Sequence, residues 1–249
     1  MTRLSHAISA ASALALVLAP LPLAAQTARR APAATTQIAP DKLASLGAFI
    51  DGVMAQQLAT REVAGAVITV VHRGKVIVSR GYGHADVERG VKVDPDRTLF
   101  RPGSVGKLFT WVALMQQVET GRVRLDADVN EYLDFRIPDY QGKPIRVRDL
   151  LSHTPGMSDL GNFSAPSADK LVPYNQWIKT HIPQRLWAPG TETSYSNYGA
   201  ALAGYIVERV SGMPFADYTE QRLFRPLGMT SSTFRAPLPP ALASRMALG

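Results

Sequence analysis

Ser104 and Lys107 are separated by two residues in the segment Arg101, Pro102, Gly103, Ser104, Val105, Gly106, Lys107. At the start of a helix, positions i and i+3 share one face, so this spacing sets a lysine amine beside a serine hydroxyl and lets it draw off the proton. The chemistry that follows is attack by the serine oxygen on an acyl carbon. A lysine serves as base only in its neutral form, which demands burial or a neighbouring positive charge. The Ser104 backbone N–H, unpaired in a first helical turn, points to the same place and can hold a developing oxyanion. The plain alternative is a serine cap beside a surface lysine. A second match, Ser167, Ala168, Asp169, Lys170, sits in a loop with no buried helix behind it and reads as such a cap.

Tyr195, Ser196, Asn197 follows a turn at Pro189, Gly190 and precedes a helical pattern. In an extended segment residues two apart point to one side, offering a phenol for proton transfer and an amide for hydrogen bonds to a substrate. The phenol, with an ordinary pKa of about 10, needs a neighbouring cation to act as base at neutral pH, and Lys107 is the candidate. An asparagine cap beside a packed tyrosine is the structural alternative. His153 lies in Leu150, Leu151, Ser152, His153, Thr154, Pro155, Gly156, Met157, a helix end running into a tight turn. It invites a Ser-His-Asp reading, but Pro102 stands where a G-x-S-x-G elbow needs glycine. His153 is therefore read as structural, holding its loop by hydrogen bonds. An α/β-hydrolase using His153 is kept as a competing reading; it would lose activity on replacing His153 and tolerate Lys107→Ala.

No cofactor or metal is expected. Asp126, Asp128, Asn130 imitate an EF-hand opening, but Glu131 and Ile137 occupy its sixth and twelfth positions. Gly106, Lys107 lacks both the upstream glycine and the following hydroxyl residue of a phosphate loop, and Gly81, Tyr82, Gly83 is followed by Asp86 where a dinucleotide fingerprint needs its third glycine. The absence of Cys excludes disulfides, thiolate metal sites and a cysteine nucleophile.

The elements that must position these residues follow from periodicity. Leu43, Leu46, Phe49, Ile50, Val53, Met54 and Leu58 recur at helical spacing after Asp41, a capping residue. Ala66–Val71 and Lys75–Ser79 read as strands of a hairpin turning at His72, Arg73, Gly74. Ser104–Glu119 predicts a long buried helix on Val105, Leu108, Phe109, Val112, Met115 and Val118; Arg146–Leu151, Gly199–Val210 and Phe215–Phe224 also read as helical. The class is α+β, with two strands at one end and a helical half after them. Two strands are marginal alone, and nothing from Ser231 to Gly249 reads as three more, so the sheet is expected to be incomplete in this chain and the chain to be a piece of a longer protein.

The 249 residues, 46% hydrophobic and 19% charged, make an ordinary globular balance that excludes disorder throughout. Arg3 followed by the uncharged apolar run Ala7–Ala25 reads as a signal peptide over residues 1–25, so a periplasmic or secreted location is expected. Residues 26–40, rich in Ala, Pro and Thr, read as a linker, and 41–249 as the folded domain, truncated at its C-terminus. The formal charge is +7, but the cations are scattered, with no stripe and no stacking motif, so no nucleic-acid partner is expected. Membrane association is expected only through the signal segment or through further C-terminal residues.

Taken together, the hairpin with its Gly81, Tyr82, Gly83 tail, Phe100–Lys107, Leu150–Met157 and Tyr195–Asn197, in this order, resemble the serine β-lactamase and penicillin-binding-protein superfamily. The resemblance, spanning Asp41 to Gly249, is to its class C β-lactamase-like branch of esterases and D-alanyl-D-alanine peptidases, since Tyr-Ser-Asn stands where class A enzymes have Ser-Asp-Asn. It implies a β-lactamase/transpeptidase-like fold, an antiparallel sheet flanked by helices plus a helical half. It implies Ser104 as the acylated nucleophile, Lys107 and Tyr195 as general acid and base, and Asn197 as a substrate-binding residue on the acyl side chain. The family's third motif, Lys or His, any residue, then Gly, is absent: His181 is followed by Ile182 and Pro183, and no Lys follows Lys179. That motif supplies the second oxyanion donor, whose loss costs about two to three powers of ten in rate. The expected function is a serine hydrolase acting on an ester, a D-alanyl peptide or a β-lactam, with a small-molecule or peptidoglycan-derived substrate. The alternatives are a β-lactamase proper and a catalytically silent peptidoglycan- or protein-binding module.

Overall fold

A computed structural model describes residues 39–159, 165 and 167–248. The expected signal peptide, almost all of the linker and the Asp41 cap side chain lie outside what it describes. The chain divides into two units, Met1–Leu46 and Gly47–Gly249. In the first, the described residues open helix α1 (Pro40–Ala59), with the Lys42 N–H donating to the Ala39 carbonyl at 3.0 Å. The remainder of α1 and every other described element belong to the second unit.

Within that unit α1 buries Ile50 and Met54 and leaves Phe49 and Val53 exposed, so only part of its expected apolar face is covered. Strands β1 (Gly65–His72) and β2 (Lys75–Asp86) pair antiparallel with a bulge at Val70/Val71. His72 joins β1, which shortens the expected three-residue turn to Arg73-Gly74, both at positive φ, the two-residue turn whose twist matches a hairpin. β2 outruns its expected end at Ser79 and takes in Gly81, Tyr82 and Gly83. It pairs with a short third strand, β3 (Val91–Lys92), too brief to leave a period-two signature. The sheet order is β1-β2-β3. Near residue 249 the chain meets β2, where Leu248 N–H donates to Ala85 O at 2.7 Å, and, outside the sheet, Leu99, whose O accepts from Ala247 N–H at 2.9 Å.

The helical half carries the core. α2 (Lys107–Glu119) begins three residues later than expected, because Gly103–Gly106 forms a 3-10 turn. Its buried stripe also differs from the expected one. Thr110, Ala113, Leu114 and Gln117 are buried, whereas Val105 and Leu108 are 67% and 57% exposed and Val112 and Met115 are also open. The helix is apolar over more than half its circumference, so periodicity alone does not choose which stripe α5 covers.

α5 (Asn197–Ser211) is central, with Tyr198, Leu202, Ala203, Ile206 and Val207 fully buried against α2, α3 (Val147–Leu151), α4 (Tyr174–Thr180) and α6 (Phe215–Thr219). It starts two residues before the expected Gly199 because Ser196 caps it, its Oγ accepting from Gly199 N–H at 2.9 Å. A π turn, Glu220–Phe224, follows α6 where one continuous helix was expected, and a short α7 (Pro240–Ala243) completes the set. Among the described residues no helix is long and apolar enough to cross a membrane.

Candidate active site

Ser104 is the second residue of the 3-10 turn, a position whose backbone N–H has no partner within the turn, and Lys107 opens α2. The spacing therefore works across the junction of the two helices. Lys107 Nζ donates to Ser104 Oγ at 3.0 Å. It also donates to Asn197 Oδ1 at 2.7 Å and lies 4.8 Å from the centre of the Tyr195 ring. The Tyr195 hydroxyl donates to Ser104 Oγ at 2.6 Å. Ser196 between them is extended (φ −130°, ψ 108°), which sends Tyr195 and Asn197 to the same side. Ser104 and Tyr195 are exposed, Lys107 and Asn197 half-buried. The four residues meet on an open shelf, and a cleft of about 870 Å³ beside Arg146, Arg148 and Pro189 contains none of them.

Hydrogen bonding to Lys107, then to the Ser104 hydroxyl, holds the Tyr195 phenol below its usual range, with the Lys107 charge adding to it, against burial and the carboxylate of Asp159. This is the perturbation a tyrosine base requires.

His153 sits behind Tyr195, with ring centres 4.5 Å apart and an edge contact to Trp111 of α2 at 5.8 Å. Its Nδ1 accepts from the Ser196 N–H at 3.2 Å and its carbonyl from the Ser194 N–H at 2.8 Å. Burial first, then the Lys107 charge, keep the imidazole below its usual value. Both contacts hold the backbone on either side of Tyr195, and the side-chain hydrogen bonds to Ser104 Oγ come from Lys107 and Tyr195. The loop itself is pinned at Gly156, where a Cβ would stand 2.1 Å from the Trp187 carbonyl at φ +71°. Arg185 ties the same loop, its guanidinium donating to Pro138 O at 2.8 Å and Pro155 O at 3.1 Å.

Asp159 escaped sequence reasoning. Its Oδ1 accepts from the Asn197 N–H at 3.3 Å, and both carboxylate oxygens face Asn197 Nδ2, at 3.3 and 3.2 Å. No spacing rule links residues 38 apart across two loops. Both ends of the Asn197 amide are thus engaged by the protein, whereas the resemblance assigned it to the substrate. Elsewhere, Lys170 of the second Ser-x-x-Lys pattern lies 3.9 Å from its neighbour Asp169 on the surface. Asp128 caps a turn by accepting from Asn130 N–H at 2.9 Å. Among the described residues no group of three His, Asp or Glu comes together that could hold a metal ion.

With this geometry in place, comparison with known proteins is specific. A family model described as Beta-lactamase matches residues 50–247. Protein flp of Staphylococcus aureus (strain N315) is 30% identical over 190 residues, covering 75% of this chain and 38% of flp. Esterase EstB of Burkholderia gladioli is 32% identical over 206 residues, covering 77% of this chain and 52% of EstB. The solved octameric penicillin-binding protein homologue from Pyrococcus abyssi aligns with a TM-score of 0.63 at 28% identity, over 77% of this chain and 44% of that one. The chain belongs to the beta-lactamase family and has the β-lactamase/transpeptidase-like fold. It spans about half the length, or less, of these relatives.

Proposed function

We propose that this chain carries the nucleophile and proton-transfer groups of an exported serine hydrolase that works through an acyl-enzyme on Ser104. The observation that carries the reading is the convergence of Lys107 Nζ and the Tyr195 hydroxyl on Ser104 Oγ at 3.0 and 2.6 Å. The Ser104 proton passes to the Lys107–Tyr195 pair as Oγ bonds to the acyl carbon. The resulting oxyanion is held by the Ser104 N–H. Tyr195 then delivers the proton to the departing oxygen or nitrogen as the acyl bond breaks, and water releases the ester by the reverse sequence. Asn197, between Lys107 and Asp159, sets where the amine stands and borders the acyl side chain of a substrate.

The substrate class is an ester, a D-alanyl peptide or a β-lactam, small or derived from peptidoglycan. An ester is supported by the relative named an esterase. Export to the periplasm or beyond is supported by the apolar run Ala7–Ala25 after Arg3. Hydrolysis of a p-nitrophenyl ester by the parent, Lys107→Ala, Tyr195→Phe and His153→Ala tests the reading. Loss in the first two variants with activity retained in His153→Ala supports it. The family and fold set aside the α/β-hydrolase reading. The opposite pattern would move the general base from the Lys107–Tyr195 pair to His153, and a chain that folds but never turns over points to a binding module.

A further inference from the structure

The Asn197 amide lies between groups of opposite charge. Its Oδ1 accepts from Lys107 Nζ at 2.7 Å, and its Nδ2 faces the Asp159 oxygens at 3.2 and 3.3 Å. An amide has one accepting and one donating end, and a carboxylate only accepts, so Asp159 decides which end faces Lys107. Turned over, the amide would set its NH₂ against an ammonium, donor to donor, and the 2.7 Å contact that holds Lys107 beside Ser104 would be lost. The Asn197 N–H, the first of α5, adds a third tie to Asp159 at 3.3 Å.

We propose that Asp159 is a positioning residue whose carboxylate orients the Asn197 amide so that its oxygen holds Lys107 against Ser104. The role rests on the acyl-enzyme reading above and extends it to a residue that makes no contact with Ser104. It has an electrostatic companion. The titratable groups facing Tyr195 are Lys107 from α2 and, from the chain after α3, His153 and Asp159; Lys107 lowers the phenol and Asp159 raises it. Removing the carboxylate therefore moves the pH at which the phenol ionises further down.

The test is the rate at which a fluorophosphonate labels Ser104 in the full chain, followed by intact mass from pH 5 to 10, for the parent, Asp159→Ala and Asp159→Asn. Thermal midpoints are measured alongside. Asp159 is exposed, so both variants are expected to fold. Asp159→Ala is expected to label about 10–10²-fold more slowly, the upper figure being the scale of cost when a reacting group is misplaced by about 1 Å. Asp159→Asn, which keeps an accepting oxygen, is expected to recover most of that rate, while both variants show the rising limb of the pH profile displaced to lower pH. Unchanged rates and an unchanged limb in both variants, with or without a lower midpoint, would overturn the proposal and leave Asp159 an ordinary helix-terminus acid. No label on the parent chain from the fluorophosphonate, nor from a penicillin run alongside it, would instead overturn the nucleophile assignment, and the role of Asp159 with it.

Discussion

At the scale of the residue, the site is a set of hydrogen bonds whose loss should be unequal. Removing the amine in Lys107→Ala or the hydroxyl in Tyr195→Phe strips a proton-transfer group, and each should slow acylation about 10²–10⁴-fold with little change in thermal midpoint. His153 acts by holding the chain around Tyr195, so His153→Ala should lower the midpoint and cost activity far less. The same ring gives a stability signature. Its folded pKa is lowered, so the unfolded chain takes up more protons and stability falls as pH drops below about 6.5 and on through the lower folded value. Denaturant titrations at pH 7.5 and 5.5 should show that loss in the parent, and it should shrink in His153→Ala. The Ser104–Lys107 pair and the Tyr195–Asn197 pair were legible because local geometry places such residues whatever surrounds them. Asp159 was not, because its partner is set by two loops that no short pattern connects.

At the scale of the element, the site depends on the junctions of helices more than on their middles. Ser104 sits on the 3-10 turn before α2, and Asn197 is the first residue of α5. Ser196→Ala removes the cap that fixes that start and should cost about 1 kcal/mol in urea unfolding. Gly156→Ala sets a Cβ against the Trp187 carbonyl in a left-handed backbone. It should cost about 1–3 kcal/mol and slow acylation through displacement of the His153 loop. Helix positions were readable from periodicity to within a few residues, but the covered stripe of α2 was not. Leu108, Val112 and Met115 are more apolar than Thr110 and Gln117, which are buried beside Ala113 and Leu114, so hydrophobicity points to the wrong stripe and the partner helix decides. β3 was unreadable for the opposite reason, since two residues carry no period.

At the scale of the whole molecule, a dense helical core stands beside a sheet of three described strands in which β1 has no fully buried residue. The open stripe on α2 leaves Leu108, Val112 and Met115 facing solvent. The chain should bind a hydrophobic dye in its native state, and the pair Val112→Lys, Met115→Lys should reduce that binding while leaving the thermal midpoint within a few degrees. The α+β class and the family were legible because hairpin, Ser-x-x-Lys segment and Tyr-Ser-Asn segment occur in one order. Family membership constrains the chemistry, yet the chain spans only part of its relatives' length, so the central claim falls on one atom, Ser104 Oγ. Intact mass after exposure to a fluorophosphonate and to a penicillin, with Ser104→Ala alongside, tests it most directly. The account predicts one adduct per chain from at least one of the two reagents, absent from the variant. An adduct that persists in Ser104→Ala, or no adduct on a folded parent chain, would contradict it.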